Sequence, residues 1–223
     1  MLRASSLAAR SSTGPVPVGE AGVGEVRGDL GTGFPPGRLV ELCAAPDAAQ
    51  TSTAARVLRE AQAQGDPVAW VVPRAEPSSS SPSAGLYPPD LAAAGLDLDA
   101  LLVVHVAPSA IARAAELVLR TGAFGAVVLD LSWADRSGED APRGTAWQGR
   151  LLGLAREHAC RVIVLSPNAR ARASLGPLVS LRFDVRRTRV ADGRFRVDAV
   201  IVKDKMGAAT EQSAPFAGPV GAR

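Results

Sequence analysis

The stretch Ala44-Ala45-Pro46-Asp47-Ala48-Ala49-Gln50-Thr51 has the spacing of a phosphate-binding loop without its chemistry. Such a loop follows a strand, opens a helix and reads G-x-x-x-x-G-K-[ST]. Its glycines let backbone N–H groups curl around phosphates, its lysine neutralises the β/γ charge, and its hydroxyl holds magnesium. Here both glycine positions are alanine (Ala44, Ala49) and the lysine position is Gln50; of the four defining positions, Thr51 alone keeps its type. Alanine where φ must be positive costs roughly 1 kcal/mol or more. Pro46 removes a donor, and Asp47 puts negative charge where phosphate would lie. Every change opposes nucleotide binding, so the expectation is a chain that neither holds nor hydrolyses ATP and uses no cofactor. A second nucleotide feature, an apolar strand ending in a magnesium-holding carboxylate, is present in Ala126-Val127-Val128-Leu129-Asp130. With the loop degraded, Asp130 reads as a structural remnant.

Other reactive side chains offer less. His105 and His158 have no partners at metal-ligand spacing. Cys43 and Cys160 form no metal motif or disulfide framework, and each lies beside an apolar run. Unpaired cysteines point to the reducing cytoplasm. Residues 1–10 lack the apolar stretch of a signal peptide, and no segment approaches the ~20 apolar residues of a membrane span. Trp133 and Trp147 flank the polar stretch 135–144, where they could stack on a partner or close a core edge.

The chain has 223 residues, enough for one α/β domain with tails. It is 47% hydrophobic but 4% aromatic, so its core must be built from Val, Leu, Ile and Ala. A net charge of +3 is compatible with nucleic acid nearby without requiring it. Residues 1–33 read as a flexible lead-in, with a short helix over 2–9, and 208–223 as a disordered tail. Between them, over 34–207, strands alternate with helices. Strands are predicted at 38–43, 68–72, 101–105, 126–131 and 161–166. Helices are predicted at 51–64, at 109–121 with Ser109 as cap, and at 146–158, with a helical turn at 90–94. Segments 179–187 and 194–203 pair as a hairpin around Ala191-Asp192-Gly193. This alternation implies a doubly wound, mostly parallel sheet with a C-terminal antiparallel hairpin. In such a sheet ligands sit at the carboxyl ends of the strands, which is where Ala44–Thr51 falls.

Several ordered segments resemble the RecA family. Phe34-Pro35-Pro36-Gly37-Arg38-Leu39-Val40-Glu41-Leu42 is similar to the family's run into its phosphate loop, and Ala69-Trp70-Val71-Val72 to its next strand. Leu181-Arg182-Phe183-Asp184-Val185-Arg186-Arg187 and Val202-Lys203-Asp204-Lys205 resemble two late segments. The resemblance spans about 33–216 and implies a RecA-type P-loop core. The family's catalytic glutamate aligns with Arg74, or with Glu76 if the register slips, and its coupling glutamine would fall near Ser166-Pro167. The glycine-rich DNA loop is reduced to about 168–177, where Arg170 and Arg172 are DNA-contact candidates. Lys203 and Lys205, the chain's only lysines, match residues that reach toward a neighbour's ATP in the family, which makes them RecA-interface candidates.

A short RecA-like chain without ATPase residues resembles the ImuA accessory proteins of bacterial damage-induced mutagenesis. That likeness implies a non-catalytic adaptor in translesion synthesis during the SOS response. Its partners would be RecA, an ImuB-type polymerase homologue and an error-prone replicative-type polymerase, with weak contact to DNA. The rival readings are a divergent RecA-like DNA-dependent ATPase using Thr51 and Asp130, and a division inhibitor of the SulA type.

Overall fold

The computed structural model describes residues 33–45, 48–74, 86–134, 142–190, 195–205, 207 and 212–216, the last segment as backbone. In chain order the elements are β1 (Arg38–Ala44), α1 (Gln50–Ala63), β2 (Val68–Pro73), α2 (Pro88–Ala93), β3 (Leu101–Val106), α3 (Ile111–Arg120), β4 (Ala126–Asp130), α4 (Ala146–Glu157), β5 (Arg161–Ala169), β6 (Leu181–Arg189), β7 (Phe195–Asp204) and β8 (Gln212–Phe216). They form one eight-stranded sheet in the order β3-β2-β4-β5-β1-β6-β7-β8. The strands from β3 to β6 pair in parallel; β7 is antiparallel to both β6 and β8.

Helices cover both faces, so the central strands read as near-continuous apolar runs rather than alternating ones. β4 is buried at every position. On one face Ala54, Val57, Leu58 and Ala61 of α1 pack on Val40, Leu42, Trp70 and Ile163. Phe34 and Phe183 stack there with centroids 5.0 Å apart, concentrating two of the chain's few aromatics. On the other face Ile111, Ala115 and Leu119 of α3, with Trp147, Leu151 and Ala155 of α4, cover Leu39, Val71, Leu129 and Val164. Beyond α4 this second face has a loop, 170–179, as its cover, with Leu175, Leu178 and Val179 joining the same core.

The predicted strands, the hairpin and the alternation agree with the structure. Two local expectations do not. Ser109 does not cap α3: Pro108–Ala110 form a 3₁₀ turn, and α3 starts after Ala110 with no side-chain cap. Proline at the head of that turn sets the entry instead. Within the stretch expected to be disordered, Gln212–Phe216 pairs with β7, from Phe195↔Phe216 to Ala199↔Gln212. An edge strand draws on backbone hydrogen bonds to an open neighbour, so a composition too poor for a core still suffices, and Pro215 is tolerated at an edge. The expected helix over 2–9, the hairpin turn at 191–193, the pair Pro46-Asp47 and residues 135–141 of the polar stretch lie outside the described residues. Among the described residues no helix is long and apolar enough to cross a membrane.

Candidate functional site

The carboxyl ends of β1, β4, β5 and β6 bring together most of the residues singled out above. β1 leaves its ladder with β5 irregularly. Leu42 pairs with Leu165, but Ala44 pairs with Ala169, so the register slips between them. A slip strands ladder carbonyls inside the protein, and buried carbonyls need donors. Gln50, in the first turn of α1, supplies them: its Nε2 donates to Leu42 O and to Ser166 O, both at 2.8 Å. Its side chain is buried, so Gln50 is an internal strut between β1 and β5.

Two described backbone N–H groups of the loop are also committed. Ala48 N donates to Ala45 O at 3.0 Å, and Ala49 N to Val185 O at 3.1 Å. Ala48 forms an isolated bridge with Arg186 of β6. Ala49 has φ −105°, so the strain expected of alanine in a glycine conformation does not arise: the loop takes a different path. Ala44 is still in strand β1, and Thr51 is exposed at the head of α1. Arg74 is exposed beyond β2, and Glu76 is outside the described residues.

Asp130 ends β4 in a local turn. Its Oδ1 accepts from Ser132 N at 3.0 Å and from Ser132 Oγ at 2.6 Å, while its carbonyl accepts from Trp133 Nε1 at 2.8 Å. Burial pushes its carboxyl above the ordinary value, against the Ser132 hydrogen bonds. This is the hydrogen-bonding habit of an Asx turn. Trp147 is buried and Trp133 packs against the same core, so both tryptophans close a core edge. Burial likewise pushes the Cys43 thiol up to about 11 and that of Cys160 to about 12, leaving both protonated and unreactive.

Next to this closed loop lies a centre built from charge. Glu41 of β1 is fully buried, and Arg182 of β6 nearly so. Arg182 Nε lies 3.2 Å from Glu41 Oε1. Glu41 Oε2 accepts from Ser174 Oγ at 2.8 Å and from Leu175 N at 3.0 Å. Arg182 Nη1 donates to Arg172 O at 2.7 Å, and Nη2 to Ala169 O at 3.0 Å. Lys203 Nζ donates to Gly176 O at 3.4 Å, and Lys205 Nζ to Pro177 O. Desolvation, then the neighbouring Lys205, lowers the Lys203 ammonium below its usual value. Gly176 makes the close packing possible: a Cβ there would meet Gln148 Oε1 at 2.4 Å. Gln148 reaches across from α4 to donate to Leu175 O at 2.9 Å. The segment between β5 and β6 is thus held by its backbone from four directions.

Arg170 and Arg172 are both exposed on this held segment, and Arg170 lies 3.6 Å from buried Asp184. Asp184 Oδ2 also accepts from Arg186 Nε at 3.0 Å. Beyond them the β6–β7 ribbon carries Arg187, Arg189 and Arg196, with the Arg187 guanidinium 4.8 Å from the Phe195 ring centroid. Of the described acidic residues on these two strands, Asp184 and Asp198 are each hydrogen-bonded to an arginine, and Asp204 lies at the opposite end, paired with Leu181. The result is a basic edge with phosphate-binding chemistry.

Sequence reasoning put the Ala44–Thr51 loop at the carboxyl edge and named Asp130, Arg170, Arg172, Lys203 and Lys205 as further candidates; Lys203 and Lys205 fall level with the start of β6, and Glu41, Arg182 and Asp184 were missed. The signal was available for Glu41, a charge in the middle of a mostly apolar strand, but not for Arg182 and Asp184, which lie in an arginine-rich strand of alternating type. Neither a scan against protein-family models nor a search of curated proteins returned a match for this chain.

Proposed function

We propose that this chain is a RecA-type core that works without nucleotide, as a non-catalytic adaptor in damage-induced translesion synthesis. On this reading it binds RecA and an ImuB-type polymerase homologue, contacts DNA weakly through its basic edge, and restrains RecA filaments. The observation that carries the reading is the Gln50 strut. Its amide and the N–H groups of Ala48 and Ala49 are spent on carbonyls of the same chain. Used this way, these groups offer phosphate neither a cation nor backbone donors.

Restraint follows from asymmetry between the two faces of such a subunit. A heterologous contact propagates only if both faces function. This chain has lost the face that would carry its own ATP and keeps lysines for completing a neighbour's. Lys203 is half-buried and holds Gly176, whereas Lys205 is exposed and can exchange Pro177 O for a partner's phosphate. A partly desolvated ammonium beside phosphate contributes on the order of 1 kcal/mol or more.

The test is RecA filament length and strand exchange with added protein, comparing wild type with Lys205→Ala. Wild type should shorten filaments, and the variant should do so less, with the gap widest at low salt. Filaments unaffected by the wild-type protein would refute the adaptor mechanism.

A further inference from the structure

A second charged centre lies between α3 and α4, toward the amino ends of the strands and away from the basic edge. Glu116, in the middle of α3, is 2% exposed. Its Oε1 accepts from Arg113 Nη1 at 2.9 Å and from Arg120 Nη2 at 2.7 Å; its Oε2 accepts from Arg150 Nε of α4 at 2.9 Å. Burial alone would raise the Glu116 carboxyl, but the hydrogen bond from Arg150 and the charges and hydrogen bonds of Arg113 and Arg120 hold it below its ordinary value. One guanidinium neutralises this carboxylate. The arrangement assembles two more, and all three side chains are more than half exposed. Each keeps further N–H donors beyond the one it gives to Glu116.

Beside this cluster runs a groove lined by Glu116, Arg120, Gly149, Arg150, Gly153 and Leu154. Its lining from α4 includes Gly149 and Gly153, one helical turn apart. Interior glycine weakens a helix relative to alanine, so it calls for a reason. None exists within the described chain. A Cβ on Gly153 would meet nothing within 4 Å, one on Gly149 would meet only Leu178 Cδ1 at 3.6 Å, and neither residue has positive φ. Small residues spaced by four let a second backbone approach closely. On the α3 side, Leu117 is 51% exposed and shares its helix face with Arg113 and Arg120.

We propose that the α3–α4 groove is a docking site for an acidic amphipathic helix of a partner protein. The partner's backbone crosses Gly149 and Gly153, its apolar residues contact Leu117 and Leu154, and its carboxylates take the outward donors of Arg113, Arg120 and Arg150. Glu157, beside His158, makes the far end of the groove mixed in charge. The acidic contacts therefore fall toward Arg113 and Arg150. This site stands apart from the carboxyl edge and does not depend on the adaptor reading.

The experiment uses the full chain and a labelled, designed helical peptide with Glu and Leu along one face. Binding is followed by fluorescence anisotropy and by amide shifts. Saturable binding with shifts confined to α3 and α4 is expected. Gly153→Leu, which fills open space on a helix, should fold with a melting temperature no lower than wild type yet weaken binding about ten-fold or more, a difference worth about 1.4 kcal/mol. Arg150→Glu should weaken it similarly, and a Lys-for-Glu version of the peptide should not bind. Absence of saturable binding, undiminished affinity in a folded Gly153→Leu, or shifts in this groove caused only by a single-stranded oligonucleotide would each overturn the proposal.

Discussion

Two loops leave the carboxyl ends of adjacent strands, and they are held in opposite ways. The loop after β1 is closed by a neutral side chain, Gln50, bridging two stranded carbonyls. The loop after β5 is held by a buried carboxylate and a buried guanidinium, Glu41 and Arg182, which divide its backbone donors and acceptors between them. A neutral strut leaves nothing unbalanced when it is lost, beyond the carbonyls it served. A charged pair leaves an uncompensated buried ion when either half is removed. The loop after β1 is therefore closed at low electrostatic cost, while the arginine-bearing loop depends on charge balance.

The largest expected effect tests that difference directly. Arg182→Met strands Glu41 and should cost about 3–5 kcal/mol in urea unfolding. The double variant Glu41→Leu/Arg182→Met should recover much of this while freeing the loop, seen as faster amide exchange at Leu175. Equal losses in the single and double variants would mean that the pair's charge balance is not what matters. Gln50→Leu, the matching change in the other loop, should cost less, about 1–3 kcal/mol, because it only leaves carbonyls without donors. Gly176→Ala should destabilise by about 1–3 kcal/mol through overpacking against Gln148, and Gln148→Ala should relieve most of it.

How much of this was legible beforehand differs between the two loops. The sequence singled out Ala44, Ala49 and Gln50 because a phosphate-loop motif has fixed spacing and known chemistry to compare them with. What Gln50 does instead was hidden, since a register slip in a parallel ladder has no sequence signature. Glu41 and Arg182 lie about 140 residues apart in sequence, and a pairing at that distance is set by strand order, which alternation alone does not give. The strands themselves were clear, because burial on both faces forces apolar runs such as Ala126–Asp130. β8 was missed because backbone pairing at an edge asks little of composition.

The smallest effect concerns Asp130 and depends on pH. Its folded-state pKa is raised, so the stability linked to its neutral form is complete below the unfolded value and is lost as pH rises through the folded one. Asparagine keeps the acceptor for Ser132 without ionising. Asp130→Asn should therefore melt slightly above wild type near neutral pH, with the gap closing as pH falls below the carboxylate range. A variant that melts lower at neutral pH would show that the carboxylate charge is needed, as a magnesium-holding residue would require.

The most direct test of a nucleotide-free chain is its thermal unfolding with and without saturating MgATP. A ligand at 100 times its Kd adds about 2.7 kcal/mol to stability, a shift of several degrees in a domain of this size. The closed loop predicts no shift for wild type. A clear rise in melting temperature with MgATP, abolished by Asp130→Ala or Thr51→Ala, would contradict it.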